Sequence, residues 1–201
     1  MEKIQLNLKL TSQSPKRWKL LTEDGNFMGT IGYKTKRAFY LTDKWLNREK
    51  NIKEVLDFEK NEVRTQLYAY LSRAEQSPQK AIDWLKKRGV TKTDIDTILE
   101  EVKEKGFLSS KRYSDFKLKK EFRKGNKPLW RVKLELKNQG IEIDEIDLKE
   151  YDEKESLINY IYRNLWKLKK DRDKFIKSLM MKGFKYSLIS LVIEEIDNES
   201  I

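Results

Sequence analysis

Apolar and polar positions alternate at the start of the chain and then change period. Ile4, Leu6, Leu8 and Leu10 recur at every second residue, and WKLL (18–21) is separated from FMGTI (27–31) by TEDGN, an Asp-Gly turn signal. Residues 1–50 therefore predict a small β layer, a hairpin with a third strand before it. From about residue 52 the period becomes helical. Val55, Leu56, Phe58, Val63, Leu67, Tyr70 and Leu71 fall near 3.6-residue spacing, with no glycine or proline between Ile52 and Ser77. This predicts a long connecting helix with a candidate break at 59–61.

Beyond it, glycines punctuate amphipathic segments, as residues just past a helix end do. The segments AIDWLKKRGV (81–90), VKLELKNQGI (132–141) and FIKSLMMKGF (175–184) share one pattern. Each has an apolar residue eight before the glycine, a leucine four before it and an apolar residue one after. These positions are Ala81, Leu85 and Val90, then Val132, Leu136 and Ile141, then Phe175, Leu179 and Phe184. Each segment also has a helical pattern before and after it. The preceding ones are 63–71, 107–118 and 157–166; the following ones are 93–105, 143–151 and 187–196. The plan is mainly α: a tandem array of three three-helix repeats behind a small N-terminal β-hairpin or three-strand layer. The boundaries implied are 1–50 for the β layer and 51–76 for the connecting helix with the first helix of repeat 1. The rest of repeat 1 takes 77–106, repeat 2 takes 107–152 and repeat 3 takes 153–201.

Composition narrows the function. Only 38% of the 201 residues are hydrophobic and 38% are charged, which predicts a thin arrangement of short elements rather than one thick core. Five Trp, nine Tyr and eight Phe nevertheless argue against disorder. Lys and Arg outnumber Asp and Glu by 44 to 33, and with no histidine the charge of +11 holds across physiological pH. An anionic partner is implied. The absence of cysteine excludes disulfides and thiolate metal sites. The opening MEKIQLNLKLTSQ lacks the apolar region of a secretory signal, and nowhere do 18 apolar residues run together. A cytosolic protein without membrane spans is expected.

Charge is also patterned. Residues 111–139 hold eleven basic and three acidic residues, 141–155 hold eight acidic and two basic, and 163–185 hold nine basic and two acidic. Helix-dipole complementation accounts for charges near helix ends, such as Asp94, Asp96, Asp144, Glu145 and Lys86 to Arg88, but not for the size of the 111–139 excess.

At YLSR (70–73), SPQKAIDWLKKRGV (77–90), GFLSSKRYSDF (106–116) and RVKLELKNQGI (131–141), the chain resembles the RecX family, bacterial regulatory proteins that modulate the RecA recombinase. The resemblance covers about residues 60–197, in matching order and spacing. The chain departs from the family pattern in three places. Its Asp-Asp is Ser109-Ser110 here, the small residue after the aromatic is Ser114, and its Gly-Pro is Lys127-Pro128 with the proline one place early. The resemblance implies a non-enzymatic monomer, acting in homologous recombination, DNA repair and the SOS response. Such a protein binds the RecA filament on single- or double-stranded DNA and limits its extension or promotes its disassembly.

The residues offer little to catalysis. Histidine and cysteine are absent, and there is no Gly-rich Lys-Ser/Thr loop for a nucleotide. Ser77 and Lys80 have S-x-x-K spacing but no companion motif, so Ser77 reads as a helix N-cap ahead of Pro78. The acidic cluster Asp144, Glu145, Asp147, Asp152, Glu153 and Glu155 reads as a solvated face rather than a cation site. No cofactor or metal is expected.

The basic run KLKKEFRKGNKPLWRVK (117–133) is the candidate binding surface. Lys117, Lys119, Lys120, Arg123, Lys124, Lys127, Arg131 and Lys133 surround Phe122 and Trp130, as a phosphate-tracking surface with aromatic neighbours does. Lys86, Lys87 and Arg88 extend the row in repeat 1, and Lys167, Lys169, Lys170, Arg172, Lys174 and Lys177 extend it in repeat 3. A curved row of basic helices would suit a helical nucleoprotein groove. Trp84, Tyr113, Phe116, Tyr160 and Trp166 are read as interhelical core. The second helices lack an evident base-reading face, so contact independent of base sequence is expected. The alternative is a general nucleic-acid-binding helical repeat protein without a recombinase partner.

Overall fold

The computed structural model describes residues 3–13, 15–41, 46–142, 148 and 151–199. The chain is mainly helical with a small antiparallel sheet, and it divides into two compact units, residues 1–108 and 109–201. Among the described residues no helix is long and apolar enough to cross a membrane.

The N-terminal unit opens with strands β1 (Lys3–Gln13), β2 (Lys16–Thr22) and β3 (Phe27–Gly32). The turn at TEDGN closes as its sequence requires. Gly25 has φ +83°, and Thr22 both donates to the Asn26 carbonyl and accepts from the Gly25 N–H. The register sets Leu8 against Leu20 and Trp18 against Ile31. Two elements are not evident in the sequence pattern. A short helix α1 (Tyr33–Ala38) follows β3, and strand β4 (Leu46–Asn51) pairs with β1, so the sheet has four strands in the order β3-β2-β1-β4. LNREKN has no apolar alternation to announce a strand.

Helix α2 (Ile52–Leu71) serves two cores. Its first turns place Ile52 and Val55 with Trp18, Leu20 and Ile31 against the sheet. Its later turns place Val63, Leu67 and Leu71 with α3 (Pro78–Lys86) and α4 (Lys92–Glu104) around Ala81, Leu85, Ile95, Ile98 and Val102. The helix is unbroken at 59–61, contrary to the break expected from the loss of apolar period there. Glu59 explains the difference, because it is buried for a polar reason.

Arg17 on β2 donates through Nη1 to Glu59 Oε1 at 2.6 Å, and both side chains are buried. Glu59 Oε2 accepts from the Gly32 N–H at 2.8 Å and from the Thr35 hydroxyl. Arg17 Nη2 donates to the carbonyls of Thr30, at 3.3 Å, and Arg88. One ion pair thus joins two strands, α1, α2 and the end of α3. Further along α2, Arg64 at 3.1 Å and Tyr68 at 2.6 Å donate to Glu101 of α4, which also accepts from Lys105 at 2.7 Å. The hydrogen bonds from Lys105 and Tyr68 hold its carboxyl down at about 2.

The C-terminal unit contains α5 (Ser110–Lys124), α6 (Leu129–Lys137), α7 (Glu153–Tyr162), α8 (Leu165–Lys170), α9 (Arg172–Met181) and α10 (Tyr186–Glu199). Most of the third helical pattern of repeat 2 (143–151) lies outside the described residues. One cluster gathers Tyr113, Leu118, Val132, Leu136, Ile141 and Tyr151; another gathers Leu157, Ile161, Phe175, Leu179, Phe184, Ile189 and Ile193. Of the nine apolar positions in the repeated pattern, eight are buried and Val90 is partly buried.

The recurring glycines make the same turn each time. Gly89, Gly140 and Gly183 have φ +73°, +76° and +97°. Their N–H groups donate to Lys86, Lys137 and Met180, and the next residue's N–H reaches Leu85, Leu136 and Leu179. This is the Schellman closure, which satisfies the last helical carbonyls and brings the apolar residue after glycine back onto the leucine. Gly89 has a second reason to be glycine: a Cβ there would meet the Thr30 hydroxyl oxygen at 2.7 Å.

Removing one member of the Arg17–Glu59 pair strands the other in the interior. Arg17→Met is expected to cost about 3–5 kcal/mol, and Arg17→Met with Glu59→Leu less than the sum of the two single changes. Urea unfolding of the four proteins measures this, and strictly additive losses would show that the pair is uncoupled.

Candidate nucleic-acid interface

Helix α5 starts on Ser109, whose hydroxyl accepts from the Arg112 N–H at 3.2 Å, and ends on Gly125 in the left-handed conformation at φ +62°. A Cβ at Gly125 would sit 2.0 Å from the Ser156 carbonyl oxygen, so α7 can approach this turn only because a glycine is there. Tyr113, Ser114, Leu118 and Glu121 face inward. Helical periodicity then turns Phe116, Lys119, Lys120, Arg123 and Lys124 to solvent. The Lys120 ammonium lies 5.8 Å from the Phe116 ring centre.

The basic run divides into two populations. Lys117 and Lys127 are half-buried and bracket two carboxylates. Lys127 approaches Glu135 at 2.7 Å and Glu121 at 3.4 Å; Lys117 approaches Glu135 at 3.1 Å and Glu121 at 3.4 Å. Glu121 is almost fully buried, so these two lysines compensate an interior charge. Burial alone would raise the Glu135 carboxyl, but hydrogen bonds from Lys127 and Lys117 outweigh it and hold the group below its ordinary range. Burial likewise opposes the Lys117 ammonium, and Glu135 and Glu121 outweigh it and raise that group. Lys124 is half-exposed and sits 3.7 Å from Glu121.

Trp130 and Arg131 also hold the unit together. The Trp130 indole N–H donates to the Gly183 carbonyl at 3.0 Å, and Arg131 donates to the Lys182 carbonyl at 3.4 Å, so α6 grips the turn after α9. Phe122 packs edge-on against Tyr151 at 5.9 Å, and Lys133 is half-buried. The solvent-facing basic set on α5 is therefore Lys119, Lys120, Arg123 and Lys124, together with Lys111 and Arg112. Those last two were not singled out from the sequence, although the charge excess begins at 111.

Elsewhere the candidates behave unevenly. Lys86 and Lys87 are exposed at the end of α3, where they complement the helix dipole. Arg88 is half-buried: its guanidinium lies 3.2 Å from the Trp84 ring centre and donates to the Trp84 carbonyl at 3.1 Å. Burial and the nearby Arg17 charge lower it to about 10. Lys167, Lys169, Lys170, Arg172, Lys174 and Lys177 are exposed on α8 and α9, with Arg172 paired to Asp197 at 2.8 Å.

Two expected core aromatics are on the surface. Phe116 is 53% exposed because the buried face of α5 is set by Tyr113, Leu118 and Glu121. Trp166 is 63% exposed because the helical pattern 157–166 does not continue as one helix. It breaks at Arg163 and Asn164, and α8 starts afresh at Leu165 with Leu168 buried. Tyr113 is buried, while Trp84 and Tyr160 are half-buried and stacked on Tyr70 and Phe175.

Of the acidic cluster, Asp144, Glu145 and Asp147 lie outside the described residues. Asp152 caps α7, Glu153 accepts from the Leu129 N–H at 2.8 Å to cap α6, and Glu155 is exposed. Among the described residues no group of carboxylates is gathered to hold a metal.

Fold and site together define a basic, helix-rich protein built from recurring glycine-capped helices. No protein-family model matches the chain. It is 31% identical over 134 residues to the regulatory protein RecX of Legionella pneumophila (strain Corby), an alignment spanning 63% of this chain and 89% of the relative. It is 28% identical over 183 residues to the regulatory protein RecX of Streptococcus mutans, spanning 81% and 70%. A crystal structure of regulatory protein RecX superposes with a TM-score of 0.60 at 16% identity, over 94% of this chain and 99% of that one. RecX from Lactobacillus salivarius superposes at 0.58 and 20% identity, over 69% and 96%. The chain belongs to the RecX family of regulatory proteins.

The two populations of lysine are separable by stability. Lys127→Gln removes the cation 2.7 Å from half-buried Glu135 and is expected to cost about 1–3 kcal/mol at pH 7, whereas Lys120→Gln should stay within about 0.5 kcal/mol of the parent. Glu135 has a depressed folded value, so this contribution is complete above the ordinary carboxylate range and is lost as pH falls through that folded value. Chemical unfolding of Lys127→Gln and the parent should therefore converge in acid, and a deficit that persists there would contradict the ion-pair explanation.

Proposed function

We propose that this protein is a non-catalytic regulator that binds the RecA nucleoprotein filament and limits its extension or promotes its disassembly. The solvent-facing cations of α5 contact filament DNA through phosphates. The observation that carries this reading is the division of the basic run. Lys117 of α5 and Lys127, just beyond its end, pack half-buried against Glu121 and Glu135, while Lys119, Lys120 and Arg123 are exposed on α5 beside an exposed Phe116. Charge held outward in this way suits contact with phosphates. Lys86 and Lys87 on α3 and the α8–α9 lysines supply secondary contacts. Membership of a regulatory family supports the regulatory role, and the recombinase partner follows from the family resemblance.

A folded variant reversing Lys119, Lys120 and Arg123 to Glu tests the surface. Lys124 is left unchanged because Glu121 lies 3.7 Å from it. The variant should inhibit RecA-dependent strand exchange more weakly, and the salt dependence of its DNA binding should flatten by about 0.7 in log–log slope for each single-strand phosphate it no longer neutralises. Undiminished inhibition by the folded variant would remove this face from the mechanism.

A further inference from the structure

The C-terminal unit holds a cavity of about 390 Å³ bordered by the end of α7, α8 and α9. Its volume is within the range of small-ligand sites, about 300–1,000 Å³. Lys167, Lys170, Lys174 and Lys182 line it together with Tyr160 and Trp166. Among the described residues none of these four ammonium groups is ion-paired. One carboxylate, Asp171, also lines the cavity, and it accepts from the Lys174 N–H at 2.9 Å as the cap of α9. The cavity is therefore strongly cationic.

Its aromatic lining is unlike that of a plain anion site. Trp166 is 63% exposed, with the Lys167 ammonium 5.3 Å from its ring centre. Tyr160 lies nearly parallel to Phe175, 6.5 Å between centres, which fixes its ring, and the Lys182 ammonium is 5.9 Å from it. An indole left largely in water beside uncompensated cations matches a ligand that is both polyanionic and flat-faced. A strand with unstacked bases offers both; a duplex keeps its base faces covered, and an acidic peptide has no such face.

We propose that this cavity takes one unstacked nucleotide of a single strand, with the base against Trp166 and the flanking phosphates on Lys167, Lys170 and Lys174. The proposal rests on the nucleic-acid reading above and adds a strand preference to it. Base–aromatic stacking tolerates any base, so no sequence preference follows.

The test uses the full chain and fluorescein-labelled oligonucleotides followed by anisotropy: dT12, an abasic strand of equal length, and a 12-base-pair duplex. Trp166→Leu should weaken dT12 binding about tenfold, Trp166→Tyr should retain most of it, and duplex binding should be unchanged. The parent protein should bind the abasic strand about as weakly as Trp166→Leu binds dT12. Equal binding of dT12 by the parent and Trp166→Leu, equal binding of dT12 and the abasic strand by the parent, or no binding of dT12 would each overturn the cavity assignment. Filament regulation by the parent is read separately. Its absence, with Trp166-dependent dT12 binding intact, contradicts the recombinase reading and leaves the nucleotide site standing.

Discussion

A helix that ends in a tight turn commonly leaves its last turn through a left-handed residue, and the three repeat-aligned glycines of this chain do so in the same way, as Gly106 does after α4. Gly89, Gly140 and Gly183 each close a Schellman turn, and Val90, Ile141 and Phe184 fold back toward Leu85, Leu136 and Leu179. The turn sets the direction of the following chain, and the leucine and its apolar neighbour then enter the local cluster. This coupling of backbone conformation to apolar spacing made the repeat readable from sequence, because glycine and the apolar positions are both local signals.

Long-range polar contacts leave no such signal. Arg17 looks like one more cation in a strand, and Glu59 looks like an interruption of an apolar stripe. Together they are a buried ion pair that ties β2 to α2, with Thr30, Gly32, Thr35 and Arg88 completing the network. The expected helix break at 59–61 failed for this reason: a buried carboxylate needs a cation, and the cation lies 42 residues away. Strand β4 is not legible in the sequence because it owes its pairing to β1 and has no periodic pattern of its own.

The candidate interface was legible as a quantity of charge but not as its distribution. Eleven cations between 111 and 139 are plain in the sequence; that Lys117 and Lys127 turn inward is not, because it depends on the burial of Glu121. Trp130 and Arg131 likewise proved to be fasteners of the α9–α10 turn. Trp166 moved the other way, from expected core to surface, once the chain broke at Arg163 and Asn164. Buried, ion-paired lysines and exposed ones are thus interleaved within one basic run. The division leaves α5 with a compensated inner face and a cationic outer one.

The partner decides between a filament regulator and a general nucleic-acid binder, and both would use these cationic faces. Titrating the purified protein into a preformed RecA filament on single-stranded DNA, with recombinase release and ATP turnover followed together, measures the difference directly. A filament regulator should lower ATP turnover and release recombinase at protein concentrations too low to coat the same DNA when it is naked. Equal affinity for naked and recombinase-coated DNA, with ATP turnover unchanged, would contradict it.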